Sequence, residues 1–315
     1  MNVTPSLYIH IGPYKTGTTS FQNYMWKNRI KYKKVGLIYP TSGIVVNSRG
    51  PRHLKLSRNP ESIEGKQKLD AAWTDLFNEI KDLDNGEKVI ISAERFSLSM
   101  NQLAERKKQL EPYNPKLVIV IREELALSRS MYFKCVTRRF GRKEEKQAAG
   151  LKNFDKWFDS YKSNLSYPQI LQPWVDSFGI ESVIFVPYQK TRKSNIITNL
   201  LRAIDAPSII SFKKSNRSNP SIGWLATTAA IIESKHNPVR AQQAMSLGSK
   251  IEKKYPYMKD IPPGCYSPKK MQAYFISENA LALKKYQQFK QAYDLACQPE
   301  NGFLKNRFLK FLNWF

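Results

Sequence analysis

The sequence predicts an α/β chain, a sheet of parallel strands covered by helices up to about residue 218, followed by an all-helical part. Three observations predict this. Short, almost unbroken apolar runs at residues 7–12, 88–92, 116–121 and 182–186 read as strands buried on both faces. The stretches between them carry helical spacing, and strand alternating with helix is the pattern of parallel βαβ units. Beyond Ser218 the strand signals stop.

Taken in order, the first strand covers 7–12 and runs into a turn rich in glycine and threonine. A helix starts near Thr18, with Phe21, Tyr24 and Met25 on one face, and ends around Lys33; a further strand is expected over 35–39. Residues 40–60 hold many Gly, Pro, Ser and Arg and read as a long loop, a kind of segment that usually carries function or moves. A helix over about 61–83 leads through Asp84, Asn85 and Gly86 into the strand at 88–92. A helix at 100–110 precedes the strand at 116–121, and another helix passes through Ser130. The strand at 182–186 is flanked by helices near 167–178 and 195–204. Helical segments near 222–234, 240–253 and 269–296 complete the chain. No internal repeat or flexible linker interrupts it, so one domain over 1–315 is expected, with an α/β core (1–218) and a helical part (219–315) packed on it.

The 315 residues are 41% hydrophobic, enough to bury a substantial core. No apolar run reaches 18 residues and the first strand begins by Leu7, so neither a membrane span nor a signal peptide is expected. The expected location is the cytoplasm. Three widely spaced cysteines, Cys135, Cys265 and Cys297, form neither a disulfide framework nor a zinc pattern, and read as reduced and structural. The net charge of +25, from 51 Lys and Arg against 26 Asp and Glu, implies anionic partners. Nucleic acid is not the expected one, because the chain has no zinc-finger spacing, aromatic RNA-binding signature or long basic arm.

The turn after the first strand is the strongest chemical signal. Gly12 and Gly17 permit backbone geometry that lets successive N–H groups point at an anion seated on the N-terminus of the next helix. Thr16, Thr18, Thr19 and Ser20 add hydroxyls, and Lys15 adds charge. In the nucleotide-hydrolysing pattern G-x-x-x-x-G-K-[ST] the lysine follows the second glycine. Here Thr18 stands there and Lys15 precedes Gly17, which disfavours a plain ATP or GTP site. The stretch Pro13, Tyr14, Lys15, Thr16, Gly17, Thr18, Thr19 resembles the donor loop P-x-K-[ST]-G-T-[TS] of the sulfotransferases that use 3′-phosphoadenosine 5′-phosphosulfate.

A second anion site follows the strand at 116–121. A nucleotide hydrolase would keep a magnesium-holding carboxylate at such a strand end. This strand runs into Arg122, whose guanidinium forms bidentate bonds to phosphate. Ser130, eight residues on, offers a hydroxyl, with Ser128 as the alternative if the helix register differs. Arg followed by Ser at this spacing resembles the 3′-phosphate segment of the same family.

The resemblance implies a three-layer sandwich with a central parallel sheet, P-loop kinase-like, and a sulfuryl transfer in which no metal takes part. It implies that the loop amides with Gly12, Tyr14, Thr16, Gly17, Thr18 and Thr19 grip the 5′-phosphate, and that Lys15 steadies charge on the bridging oxygen as the S–O bond breaks by in-line attack. The base that takes the acceptor proton is expected to be Glu94, exposed with Arg95 at the end of the strand at 88–92, since ligands gather at the C-terminal ends of strands. His53, in the long loop, is the second candidate, its near-neutral pKa suiting that work. His10 and His236 read as structural and turn residues.

Relatives in this family close a basic loop over the nucleotide from the part of the chain occupied here by 212–221, which implies contacts from Arg217 and Lys214, although the K-G-x-x-G pattern of the cytosolic small-molecule enzymes is absent. The basic cluster 138–143 reads as a solvated loop or an acceptor contact. The C-terminal stretch 303–315 alternates apolar residues with cations; it is expected to dock on the core, with an anionic membrane surface at the inner face as the alternative. The loop style looks like that of bacterial sulfotransferases acting on carbohydrates or glycolipids, so an acidic or neutral glycan or glycolipid is the expected acceptor. A P-loop-type nucleotide-dependent kinase and a non-enzymatic polyanion binder are the readings from other classes.

Overall fold

The structure is a computed structural model that describes residues 4–47, 50–84, 86–137, 154–188, 195–209, 223–234, 237–259 and 267–298. In chain order it contains β1 (Ser6–Gly12), α1 (Thr18–Lys33), β2 (Leu37–Ile38), β3 (Val45–Asn47), β4 (Gly50–Arg52), α2 (Ile63–Ile80) and β5 (Lys88–Ser92). A 3-10 turn, Glu94–Leu98, then leads to α3 (Met100–Glu105), α4 (Lys107–Leu110), β6 (Lys116–Ile121), α5 (Glu124–Thr137), α6 (Phe154–Tyr161), α7 (Tyr167–Phe178), β7 (Val183–Pro187) and α8 (Ile196–Ala203). The helical remainder is α9 (Trp224–Ser234), α10 (Pro238–Lys254), α11 (Pro268–Lys285) and α12 (Gln287–Cys297).

Five parallel strands form the central sheet in the order β2-β5-β1-β6-β7. Because side chains alternate along a strand, the sheet has two apolar faces. Leu7, Ile9, Ile11, Val89, Ile91, Leu117, Ile119 and Ile121 face one way, onto α2, α5, α7 and α12. Ile90, Val118, Val120 and Val186 face the other, onto Phe21 and Met25 of α1 and Ile197, Leu200 and Leu201 of α8. Coverage on both sides is why β5, β6 and β7 carry no polar alternation. The result is the expected three-layer α/β sandwich with a helical C-terminal part. In that part α9 packs against α5, α11 against α5 and α7, and α12 against β6 and β7. Among the described residues no helix is long and apolar enough to cross a membrane.

The connections position the site. From β1 the chain crosses to β2, returns to β5 and then jumps over β1 to β6, so the order reverses around β1. Crevices at such reversals, beyond the C-terminal ends of the strands, are where open α/β sheets take ligands. The pairing of β1 with β6 shifts register between His10 and Gly12, and the irregularity turns the chain out of the sheet into the loop.

Several elements depart from the sequence expectation. The segment 40–60 is not all loop: β3 and β4 pair antiparallel within it. The strand expected at 35–39 is only Leu37–Ile38. The helix expected at 100–110 breaks at Arg106, which is tied sideways to α2 by an ion pair with Asp70 and by stacking over Trp73. The long helix expected at 269–296 divides at Tyr286, whose backbone is extended. Helix α6 was not anticipated, although Phe154, Trp157, Phe158 and Tyr161 fall at helical spacing.

Candidate functional site

The loop between β1 and α1 is bent by left-handed backbone at three positions: Gly12 (φ 95°), Lys15 (φ 71°) and Gly17 (φ 81°). A Cβ at Gly12 would stand 3.2 Å from the Glu94 Cα, and one at Gly17 3.2 Å from the Ile196 side chain, so both positions are also tightly packed. Lys15 holds a conformation that costs a non-glycine residue roughly 1–2 kcal/mol, a strain typical of functional turns. The Gly12–Pro13 peptide is cis. Thr16 is fully buried and donates its hydroxyl to the Pro13 carbonyl at 2.6 Å, bracing the loop from inside. The expected hydroxyl contact from Thr16 to an anion is therefore taken up within the loop. Helix α1 begins at Thr18 with Gly17 as its cap residue; no side chain caps it and its first turn holds no acidic residue. Its leading N–H groups and positive dipole end thus serve whatever sits on the loop.

Glu94 stands at the end of β5, pressed against this loop. It is 5% exposed rather than open to solvent as expected, and it is Arg95 that points outward. The Thr18 hydroxyl donates to Glu94 Oε1 at 2.8 Å. Glu94 Oε2 lies 3.9 Å from Arg52 Nη1 and, though buried, accepts no hydrogen bond. Arg52 is itself buried and donates through Nη2 to Asn47 Oδ1 at 2.8 Å, so the β3–β4 ribbon delivers this cation to the carboxylate.

His53 lies deeper than its sequence neighbourhood implies. It is fully buried; its Nδ1 accepts from the Ser92 N–H at 3.0 Å, and its Nε2 stands 3.1 Å from the Pro40 carbonyl. Those bonds fit the neutral ring with hydrogen on Nε2. Burial pushes its pKa down to about 4. As a base His53 has no free nitrogen to offer, and the arrangement is that of a strut joining the ribbon to β5. His10 is likewise buried, 2.8 Å from the Ser92 hydroxyl through Nδ1, with a pKa lowered to about 4 by burial.

Arg122 follows β6 directly. Its Nη1 donates to the Lys15 carbonyl at 2.6 Å and its guanidinium lies 5.0 Å from the Tyr188 ring centre. Its backbone is clamped by Tyr167, whose hydroxyl accepts from the Arg122 N–H and donates to the Arg122 carbonyl, both at 2.7 Å. Glu123 turns both carboxylate oxygens onto the N–H groups of Leu125 and Ala126 at 2.8 and 2.6 Å, capping α5. Ser130 is buried on α5, one turn before Lys134, whose ammonium sits 3.3 Å from the Tyr14 ring centre. Residues four apart share a helix face, so Ser130 belongs to the face that α5 turns toward the loop. Ser128 is fully buried and its hydroxyl has no partner.

Gly12, Tyr14, Lys15, Thr16, Gly17, Thr18, Thr19, Glu94 and Arg122 are thus gathered around the ends of β1, β5 and β6, and Ser130 stands further along α5. Arg217, Lys214, the cluster 138–143, Cys265, His236 and the stretch 303–315 lie outside the described residues. The sequence reading missed Arg52, Lys134, Tyr167 and Tyr188. Tyr188 had a usable signal: like Glu94 and Arg122, it closely follows an apolar strand.

The fold and the site together define an α/β protein whose β1–α1 loop, at the point where strand order reverses, ends on a helix start that no side chain caps. No protein-family model and no curated protein matches the sequence. Among solved structures, the chain aligns with the crystal structure of a sulfotransferase from Alicyclobacillus acidocaldarius at 11% identity, over 92% of this chain and 96% of that one, with a TM-score of 0.46.

Proposed function

We propose that the protein is a sulfotransferase that moves a sulfuryl group from 3′-phosphoadenosine 5′-phosphosulfate to a hydroxyl of a carbohydrate, polysaccharide or glycolipid. The observation that carries the reading is Glu94 Oε2, a buried carboxylate oxygen without a hydrogen bond, placed against an anion-type loop. A buried acceptor without a partner is costly; an alcohol hydroxyl donating to it would remove that cost and be positioned to lose its proton.

The donor, when bound, supplies the sulfuryl group and a phosphate leaving group. The residues present fit it: a loop with two glycines in left-handed backbone, an uncapped helix N-terminus, the Thr18 hydroxyl, Lys15, and on the other side Arg122 with Ser130 and Lys134. Lys15 is assigned the stabilisation of charge on the leaving oxygen. Glu94 is assigned the base in preference to His53, because both His53 nitrogens are engaged. Arg52 stands opposite Glu94 across 3.9 Å.

Thermal-shift measurements with 3′-phosphoadenosine 5′-phosphate, ADP and ATP, each with and without magnesium, test this. Stabilisation by the first ligand without magnesium is expected. Stabilisation only by ATP with magnesium would make the chain a P-loop-type kinase. Indifference to all three, with salt-sensitive heparin binding, would leave a polyanion binder.

A further inference from the structure

A groove of about 280 Å³ lies between residues 97–102 and the segment that carries α7. Its wall begins at Ser97, which shares the 3-10 turn with Glu94 and donates its hydroxyl to the Glu94 carbonyl at 2.8 Å. Asn59, Asn101, Gln102, Asn164 and Gln169 place amides around it, between aliphatic side chains, and no residue lining it is charged. In a chain with a net charge of +25 such a surface stands out.

We propose that this groove binds a neutral, hydroxyl-rich glycan. Side-chain amides both donate and accept hydrogen bonds, as sugar hydroxyls do, and the aliphatic side chains between them suit the C–H faces of a sugar ring. Two acceptors here lack the partner expected of them. Gln102 donates through Nε2 to Asn59 Oδ1, while its Oε1 is buried with no hydrogen bond. Pro173 has no N–H to give the carbonyl of Gln169, four residues earlier on α7, so the helix leaves an acceptor at the groove. Gln169 commits its own Nε2 to Glu278 of α11, which fixes that amide at the rim. A sulfated or carboxylated sugar would find no cation in the lining, and the volume matches the lower end of small-molecule sites, roughly 300 Å³. Where the glycan serves as acceptor, the inference rests on the transferase reading above; binding to the groove does not.

The test is calorimetric titration of the full chain with neutral hexasaccharides of glucose, mannose, galactose and N-acetylglucosamine, and with a chondroitin sulfate hexasaccharide. At least one neutral hexasaccharide is expected to bind, with affinity that barely changes as salt is raised and that falls about tenfold in Gln102→Ala, the loss of about one hydrogen bond. Asn101→Ala, at an exposed position, gives a second variant whose folding is not at stake, and thermal melts accompany both. Failure of every neutral hexasaccharide to bind, binding of the sulfated one alone, or neutral binding untouched by both variants would overturn the proposal. Titration of 3′-phosphoadenosine 5′-phosphate into the same sample separates the two readings, since its failure would sink the transferase while leaving the glycan result standing.

Discussion

Glu94 and His53 differ in what their surroundings let them do. Glu94 keeps one oxygen unbonded beside the loop, whereas His53 is tied at both nitrogens. Glu94→Gln keeps the shape of the side chain and removes its proton-accepting charge. Turnover should fall by about 10²–10⁴, the usual contribution of a positioned base, while 3′-phosphoadenosine 5′-phosphate binds within about twofold of wild type, less than about 0.5 kcal/mol. Equal loss of turnover and nucleotide binding would make Glu94 a structural residue. His53→Asn should instead lower the melting temperature, because it opens a fully buried contact beside Tyr39; folded variant retaining no turnover would return the base role to the histidine.

Among the elements, α1 and its loop carry the sharpest prediction. Gly17→Ala forces a Cβ into left-handed backbone and toward Ile196, so a destabilisation of about 1–2 kcal/mol in urea unfolding is expected, together with weaker nucleotide binding. Unchanged stability would mean that the loop adopts another backbone. This loop was legible in sequence because glycine and proline fix local geometry directly. The strands were legible for a related reason: a sheet covered on both faces writes itself as unbroken apolar runs, and β5 and β6 fall on the expected residues. What was not legible depends on distant partners. Arg52 reaches Glu94 only because β3 and β4 fold into a ribbon, and Lys134 matters only because α5 lies over Tyr14. The depth of His53 follows from pairing with β5, which a loop-like composition does not announce.

At the scale of the whole molecule, buried ionisable groups set opposing pH trends. His10 and His53 titrate near 4 when folded against an ordinary 6.5, so the unfolded chain takes up protons that the folded chain refuses, and stability falls as pH drops from about 6.5 to about 4. Glu124, buried beside Asn279 and Tyr293, titrates near 7 against 4.5. The folded chain keeps that proton where the unfolded one has lost it, so this contribution to stability falls as pH rises from about 4.5 to about 7. Where the windows overlap, two histidines oppose one carboxyl. Glu124→Gln should therefore steepen the loss of stability on acidification between about pH 6.5 and 4.5, approaching a doubling of the slope. Parallel urea-midpoint profiles for variant and wild type would show that Glu124 does not titrate there. The charge of +25 acts separately: heparin should retain the protein in low salt and release it as salt rises, and Lys15→Ala should leave that elution nearly unchanged while weakening nucleotide binding.

The bond from Thr18 to Glu94 links the two halves of the site through one hydrogen. A hydroxyl has a single proton to donate, and a phosphate on the loop would compete with the carboxylate for it. A donor that claims Thr18 leaves neither oxygen of Glu94 hydrogen-bonded, whereas Thr18 otherwise holds Oε1. The threonine would then couple the donor loop to the carboxylate that faces the acceptor, and steady-state kinetics would show the donor adding before the acceptor.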